Sequence, residues 1–322
     1  MRSLRAALAC AVSIVPLCAF AQAFPSRPVT LVVPFTTGTG IDILARAIGP
    51  KLSERWKQPV VVENRPGASG NIGTDLVAKA AGDGHTLMVT VNTFTMTPAL
   101  FKGMPYDPVR DIAPVSKIAV STYAFLVNPN VFPANNLAEA IAMIRANPGK
   151  YYFASPGNGT PHHIGMELIK LRLGLIATHV PYKGFAGAMT DLLGGQVQMM
   201  FSLVHSSLPN VRAGRLRVLA VTGAARSPQF PEAPTFREQG IDFMDEVDAW
   251  YAVMAPGKTP PELIARLNAD INAVMAVPEV RENLAKQGLI AITSTPDELA
   301  ALIRADLVRW SKVVADAKIA ID

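Results

Sequence analysis

Short apolar runs alternate with longer segments of helical periodicity along almost the whole chain. The runs are rich in β-branched residues, which predicts strands. Between them, apolar residues recur at helical spacing, as Ile41, Leu44, Ile48 and Leu52 do. Such alternation is typical of parallel sheets covered by helices on both faces. The strands predicted in this way are 29–35, 59–63, 86–91, 124–128, 151–154, 177–181, 197–201, 216–222 and 249–255.

Prolines and capping residues predict where several helices begin and end. Pro50 lies inside the first helical segment and predicts a kink or an early end there. The stretches at 259–262 and 295–298 both begin with Thr-Pro and end with Glu. Each therefore predicts a capping box with proline at the first helical position.

The N-terminal segment 1–23 has the pattern of a secretory signal peptide. Two arginines precede an apolar run at 6–20, and the small residues that follow fit cleavage near Ala21 or Ala23. The run is shorter than the roughly 20 apolar residues that span a bilayer. The predicted location is therefore the periplasm, and a buried N-terminal helix is the alternative interpretation.

Composition and charge exclude several classes of function. The chain has 322 residues, of which 50% are hydrophobic and 17% charged, so two globular domains are expected. The formal net charge is +5 without a basic cluster, which does not favour a nucleic-acid partner. Cys10 and Cys18 both lie in the signal segment, so the mature chain would have no disulfide and no thiol nucleophile. The scattered histidines lack ligand spacing, and we expect neither a metal nor a cofactor.

Two turns with glycines follow predicted strands and precede helical segments. They read PFTTGTGID at 34–42 and SPGNGTPHH at 155–163. The first lacks both the third glycine of a dinucleotide fingerprint and the lysine of a P-loop, which argues against a nucleotide. One interpretation is a plain strand-to-helix turn with glycines at positive φ. A compatible interpretation is a helix N-terminus whose unpaired N–H groups bind a carboxylate, with Asp42 organising the first loop.

A third turn, VPYKG at 180–184, leaves two alternatives open for Lys183. The lysine is either an ordinary surface charge or a positive charge at the rim of a cleft. Ligands of open α/β sheets bind beyond the carboxyl ends of the strands. Since the first turn lies in the N-terminal block and the others in the middle block, a ligand held by both would lie between two domains. No catalytic motif is present, so an exported hydrolase is only an alternative hypothesis.

The motifs together resemble the substrate receptors of the tripartite tricarboxylate transporters, the Bug group. The stretches that carry the resemblance include VVPFTTGTGIDILAR at 32–46, VVENRPGASGNIGTD at 61–75, SPGNGTPHH, VPYKG and the Trp-Tyr at 250–251. The resemblance covers essentially all of the mature chain. It implies a two-lobed α/β periplasmic binding protein, type II-like, each lobe a mainly parallel sheet flanked by helices. We assign residues 24–124 plus 244–322 to lobe 1 and residues 125–243 to lobe 2.

The resemblance also implies a function and a site. It implies a receptor, expected to be monomeric, that binds a small carboxylate in the interlobe cleft for the membrane permease subunits of a tripartite transporter. A sensing adaptor for a sensor kinase is the alternative. Thr39 stands where the family commonly has glycine. Ser202 stands where the family often has aspartate, and a neutral residue at that position favours an anionic ligand. The predicted ligand-binding residues are Phe35, Thr36, Thr37, Gly38, Thr39, Asp42, Asn92, Thr93, Gly157, Asn158, Gly159, Thr160, His163, Lys183 and Ser202.

Overall fold

The computed structural model describes residues 24–101, 103–244 and 247–319. The predicted signal segment, with both cysteines and the predicted cleavage sites, lies outside these residues. Among the helices within this range, none is long and apolar enough to cross a membrane. The strands are β1 Val29–Val33, β2 Val60–Asn64, β3 Thr86–Val91, β4 Ile112–Ser121, β5 Tyr123–Val127, β6 Tyr152–Ser155, β7 Thr178–Pro181, β8 Met199–Leu203, β9 Arg217–Val221, β10 Ala249–Pro256 and β11 Ile290–Ala291.

Ten α-helices of the described residues cover these strands, with short 3-10 turns at Ala68–Gly70, Arg237–Gln239 and Asp242–Met244. Most of the helices follow a strand directly, as the alternating pattern predicts. They are α1 Gly40–Trp56, α2 Asn71–Lys79, α3 Thr93–Leu100, α4 Leu137–Ala146, α5 Pro161–Leu173, α6 Phe185–Leu193, α7 Val204–Arg212, α8 Pro261–Met275, α9 Pro278–Lys286 and α10 Pro296–Asp316.

The strands form two separate sheets. The first has the order β11-β4-β10-β3-β1-β2 and the second the order β7-β6-β8-β5-β9. The chain crosses between them at Thr122, because β4 ends at Ser121 and β5 begins at Tyr123. It returns through the segment between β9 and β10. The predicted architecture of two sheets flanked by helices is confirmed, whereas the exact lobe boundaries at 124/125 and 243/244 stay a prediction.

In each sheet most strands run in one direction, as expected, but both sheets also contain antiparallel strands. In the first sheet β1 pairs in parallel with β2 and β3, but β10 is antiparallel to both β3 and β4. In the second, β6 pairs in parallel with β7 and β8, but β5 is antiparallel to β8 and β9. The expected parallel arrangement assumes a helix after every strand. The two chain crossings violate it, since β5 follows β4 and β10 follows β9 without an α-helix between them.

One of the two predicted capping boxes is present, whereas the other and the effect of Pro50 differ from the sequence expectation. Thr295 and Glu298 form the predicted capping box of α10. The box predicted at Thr259 is wrong, because Pro261 disfavours a helical Pro260, which stays extended at ψ 142° and becomes the N-cap itself. Helix α1 continues through Pro50 to Trp56. Burial of the apolar side chains beyond Pro50, each stabilising by about 1.5–3 kcal/mol, offsets the hydrogen bond that proline removes.

Candidate functional site

A cavity of about 690 Å³ lies between the two sheets, beyond the carboxyl ends of strands from both. On the side of the first sheet it is lined by the loop after β1, the turn after β2, the end of β3 and Tyr251 of β10. On the side of the second it is lined by Tyr123, by the loops after β6 and β7, and by the end of β8 with the start of α7. Both sheets therefore contribute to one cleft, as the positions of the glycine turns predict.

The first loop presents the N-terminus of α1 to the cavity. The N–H of Gly38 is already bonded to Asp42 Oδ2 at 2.9 Å. The N–H groups of Thr36, Gly40 and Ile41 have no acceptor among the described residues. Because Gly40 and Ile41 belong to the first turn of α1, their N–H groups lie at the positive end of the helix dipole. The loop therefore offers donors to an anion, but Gly38 does not supply one of them.

Asp42 stabilises the conformation of the first loop through hydrogen bonds. Its carboxylate is 2% exposed and accepts hydrogen bonds from Gly38, from Arg46 Nε at 3.0 Å and from Asn64 Nδ2 at 3.0 Å. Burial opposes ionisation, but the hydrogen bonds from Arg46, Gly38 and Asn64 outweigh it and lower the pKa of the Asp42 carboxyl. The predicted role of Asp42 as organiser of the loop is confirmed. Asp42 does not line the cavity.

The second loop uses several of its own N–H groups internally. Gly157 N–H donates to Ser155 Oγ at 3.2 Å, and Gly159 N–H donates to His163 Nδ1 at 3.1 Å. Asn158 N–H has no acceptor in the described part of the chain, and the same holds for His162 N–H in the first turn of α5. Asn158 and His162 both line the cavity. They are therefore the donors that this loop leaves available.

His163 supports the second loop from behind and does not reach the cavity. Its ring stacks on His179 with centroids 3.8 Å apart, and His179 Nε2 lies 2.7 Å from Ser155 Oγ. Burial, assisted by the positive charge of Lys170, lowers the pKa of His163 to about 4. Burial, then His163 and Lys170, lowers the pKa of His179 to about 3. Both imidazoles are thus neutral at pH 7, as the acceptor role of His163 Nδ1 requires.

The remaining walls carry one positive charge and no negative charge. Of the residues that line the cavity, all of them in the described ranges, Lys183 is the one with a formally charged side chain at neutral pH. It is exposed and lies just before α6, which matches the rim alternative. Burial lowers the pKa of His162 to about 3, with a smaller effect of His205, and lowers that of His205 to about 4. A carboxylate in the cavity would therefore meet no like charge on its walls.

Two tyrosines that sequence reasoning missed lie at the inner end of the cavity. Tyr123 and Tyr251 are at most 1% exposed, and their hydroxyl groups have no hydrogen-bond partner in the described part of the molecule. Burial raises the pKa of both hydroxyls, so both stay protonated. The Trp-Tyr at 250–251 was a sequence signal for one of them. Nothing in the pattern near Tyr123 distinguishes it from a core residue.

The side chains packed around Gly40 leave no room for a Cβ atom, and we therefore expect Gly40→Ala to destabilise the protein. A Cβ at Gly40 would lie 2.8 Å from the Tyr251 hydroxyl and 3.1 Å from His205 Cε1. Such overpacking lowers the free energy of unfolding by about 1–3 kcal/mol. Gly49→Ala in the same helix is the control, since its Cβ would meet only ordinary contacts at 3.8 Å. Urea unfolding followed by circular dichroism tests the pair, and equal stability of the two variants would contradict the packing argument.

The turn Gly67–Gly70 is a second feature that sequence reasoning missed. All four of its residues have positive φ, including Ala68 at 46° and Ser69 at 54°. Backbone of this kind is costly for residues other than glycine and is found preferentially at ligand sites. Ala68 and Ser69 line the cavity. The stretch GASG contributes to the family resemblance, but its backbone strain could not be predicted from residue types.

The structure brings nine of the fifteen predicted residues to the cavity wall and leaves six elsewhere. Of the six, Thr37 is exposed in the first loop, while the others are buried. Asn92 N–H donates to Trp250 O, and Ser202 lies within β8. The lining residues are Phe35, Thr36, Gly38, Thr39, Thr93, Gly157, Asn158, Thr160 and Lys183, and the others are Thr37, Asp42, Asn92, Gly159, His163 and Ser202.

The sequence matches the family model described as the tripartite tricarboxylate transporter family receptor over residues 44–319. Among curated proteins, the protein BugT of Bordetella pertussis is 37% identical over 299 residues, which cover 92% of this chain and 91% of BugT. A protein from the tcbD-tcbE intergenic region of Pseudomonas sp. strain P51 is 40% identical over 298 residues, covering 92% of this chain and 88% of that protein.

Solved structures show the same fold. Rpa4515 of R. palustris, solved with adipate, superimposes with a TM-score of 0.84 at 35% identity, covering 92% of this chain and 99% of that one. MatC of Rhodopseudomonas palustris, solved with malate, has a TM-score of 0.80 at 32% identity, covering 90% and 100%. The periplasmic binding protein BugD has a TM-score of 0.81 at 30% identity, covering 92% and 99%. Taken with the family model, these matches show that the chain belongs to the tripartite tricarboxylate transporter receptor family, a family of periplasmic solute receptors and not of enzymes.

Proposed function

We propose that this protein binds a small organic acid in the cavity between its lobes and delivers it to the permease subunits of a tripartite-type transporter in the membrane. The lobes are those assigned from the sequence, 24–124 plus 244–322 and 125–243. The segment 1–23 directs the chain to the periplasm in this proposal. Ligand binding closes the two lobes around the acid, and the permease reads the closed form.

The observation that carries the proposal is the electrostatic character of the cavity. Helices from both lobes begin at its walls, among them α1 on one side and α5, α6 and α7 on the other. Each helix N-terminus favours a nearby anion by about 0.3–1 kcal/mol. Lys183 adds a full positive charge, and no carboxylate of the described residues lines the wall. Unpaired N–H groups, several helix N-termini and one lysine together form an anion site.

The relatives support the same class of ligand. Rpa4515 with adipate and MatC with malate both superimpose over nine-tenths or more of the chain at more than 30% identity. Both ligands are small carboxylic acids. The share of identical residues is high enough for the carboxylate chemistry to carry over, whereas the body of the ligand depends on the individual side chains of the wall.

Isothermal titration calorimetry with a panel of acids tests the proposal. We expect at least one carboxylate from a panel of adipate, malate, hexanoate and benzoate to bind to the mature protein, and the corresponding primary amide not to bind. The amide is a matched control because it keeps the shape of the acid and removes the charge. Binding of neutral amides with no preference for acids would contradict an anion site.

The permease partner is tested separately. Crosslinking of the tagged receptor in its native host, followed by mass spectrometry, is expected to recover a large and a small membrane subunit in an acid-dependent manner. Recovery of a sensor kinase in place of these subunits would contradict the transport role and favour the sensing role.

A further inference from the structure

We propose that the acid bound by this receptor has an aromatic body, so that its ligand is an aromatic carboxylate. The inference rests on the proposed function and names the ligand class of the same cavity. Binding of a carboxylate requires only the N–H groups and Lys183. The choice among carboxylates depends on what the rest of the wall can contact.

Aromatic rings face the cavity from both lobes. Phe35 of the first loop is partly buried, and its ring packs on the turn after β2, where a Cβ at Gly70 would lie 3.1 Å from Phe35 Cε2. Phe185, the first residue of α6, is partly buried on the opposite wall. Both residues line the cavity. A flat ring of a ligand held between the lobes would therefore lie between Phe35 and Phe185.

A neutral imidazole extends the aromatic surface of the second lobe. The ring of His162 lies 6.4 Å from that of Phe185 and meets Tyr123 edge-on at 5.6 Å with an interplanar angle of 89°. Because the lowered pKa keeps His162 uncharged, its ring can stack on another ring without a net charge. His162 and Phe185 thus form a continuous aromatic wall next to the N–H groups that bind the carboxylate.

Aliphatic side chains form a further part of the wall. Ile41, Val91 and Leu203 also line the cavity, and none of their side chains can accept or donate a hydrogen bond. A ligand hydroxyl placed against them would lose its hydrogen bonds to water without replacement. The volume of about 690 Å³ also lies within the range that accommodates ring-bearing ligands. An apolar ring with one anionic group can place its ring against these side chains and its carboxylate at the N–H groups.

The experiment compares three acids by calorimetry on the mature full chain: benzoate, cyclohexanecarboxylate and adipate. The first two have the same charge and nearly the same size, but only benzoate is flat and aromatic. Ring–ring contacts add about a three- to tenfold gain in affinity beyond the area buried. We expect benzoate to bind more tightly than cyclohexanecarboxylate by at least this factor, and more tightly than adipate.

Two variants locate the effect. Phe185→Leu keeps an apolar side chain but removes the ring, and we expect it to weaken benzoate binding by about three- to tenfold more than it weakens adipate binding. Phe243→Leu is the matched control, because Phe243 is also partly buried but does not line the cavity. Circular dichroism and the thermal midpoint of each variant show that both remain folded.

The outcomes separate the inference from the proposed function. If adipate binds but benzoate does not, or if Phe185→Leu affects the two acids equally, the aromatic ligand class is wrong and the acid receptor stands. If none of these three acids binds to the folded protein and malate and hexanoate also fail to bind, both fail. A benzoate preference that is lost in Phe185→Leu and kept in Phe243→Leu supports the inference.

Discussion

Lys183→Glu is expected to weaken the binding of every carboxylate by about tenfold to a hundredfold at low salt. The substitution replaces the positive side-chain charge of the cavity wall with a negative one. Two unit charges about 4 Å apart interact by roughly 1 kcal/mol in water and about 4 kcal/mol near a protein surface. Lys183 is exposed, so the lower part of this range applies, and the reversal acts twice, by losing an attraction and adding a repulsion.

Salt dependence is the sharpest test of this prediction. An exposed charge is screened over a Debye length of about 10 Å at 0.1 M salt, so the difference between Lys183→Glu and the unmodified protein should shrink as salt is raised. Lys258→Glu is the control, since Lys258 is also exposed but does not line the cavity. If Lys183→Glu binds the acid as tightly as the control at low salt, the backbone N–H groups carry the affinity and the lysine is an ordinary surface charge.

Much of the fold follows from the sequence, and its exceptions have physical causes. All nine predicted strands are present within a few residues, because most of them are short runs dominated by apolar side chains. Strand β4 was not predicted, since Pro114 and Lys117 interrupt its apolar pattern. The structure accommodates both at one edge, where Lys117 N–H donates to Ser294 Oγ at 2.9 Å. The two-residue β11 has no sequence signal of its own.

The sequence predicts which loops form the site but not which of their N–H groups are available to a ligand. Glycine and threonine after a strand identify the first two loops from residue types alone. Which N–H groups remain free depends on side chains that fold back onto them, such as Asp42 onto Gly38 and His163 onto Gly159. Tyr123 and Tyr251 line one cavity only because two strands from different parts of the chain begin near the same cleft. Such long-range pairings have no local signature.

The pairing of His163 with Gly159 has a consequence for pH. His163 Nδ1 accepts the N–H of Gly159, so the proton of the neutral ring lies on Nε2, which is 3.9 Å from Glu167 Oε1. Protonation would place a second proton on Nδ1, opposite the Gly159 N–H, and would break this hydrogen bond. The charged or titratable groups that face the ring are Glu167, Lys170 and His179.

The sign of the pH effect follows from the lowered pKa of His163, which is about 4 in the folded protein against an ordinary value of about 6.5. Between these values the unfolded chain binds the proton and the folded protein does not. The free energy of unfolding therefore falls as the pH is lowered from about 6.5 to about 4, by an amount on the order of 3 kcal/mol from this group. The low pKa values of His162, His179 and His205 act in the same direction, so a variant is needed to isolate His163.

The variants His163→Asn and His163→Leu isolate the contribution of His163 to the pH dependence of stability. The Oδ1 of asparagine can take the place of Nδ1 as acceptor for Gly159 and does not titrate, whereas leucine leaves the Gly159 N–H without a partner. At pH 7.5 we expect the free energy of unfolding of His163→Leu to lie about 1–3 kcal/mol below that of His163→Asn. Between pH 6.5 and 4 we expect both variants to lose less stability than the unmodified protein, because neither takes up the proton.

Ligand binding extends the prediction to the cavity. Since His163 fixes the loop that presents Asn158 and His162, His163→Leu should bind the acid more weakly than His163→Asn at pH 7.5. Urea unfolding at pH 7.5, 5.5 and 4.5 and calorimetry at pH 7.5 measure both effects on the same samples. Comparison of variants at one pH cancels the titration of the ligand's own carboxyl group. Parallel stability curves for the unmodified protein and His163→Asn would show that the imidazole does not titrate in this window, and equal affinities of the two variants would show that the hydrogen bond to Gly159 does not position the loop.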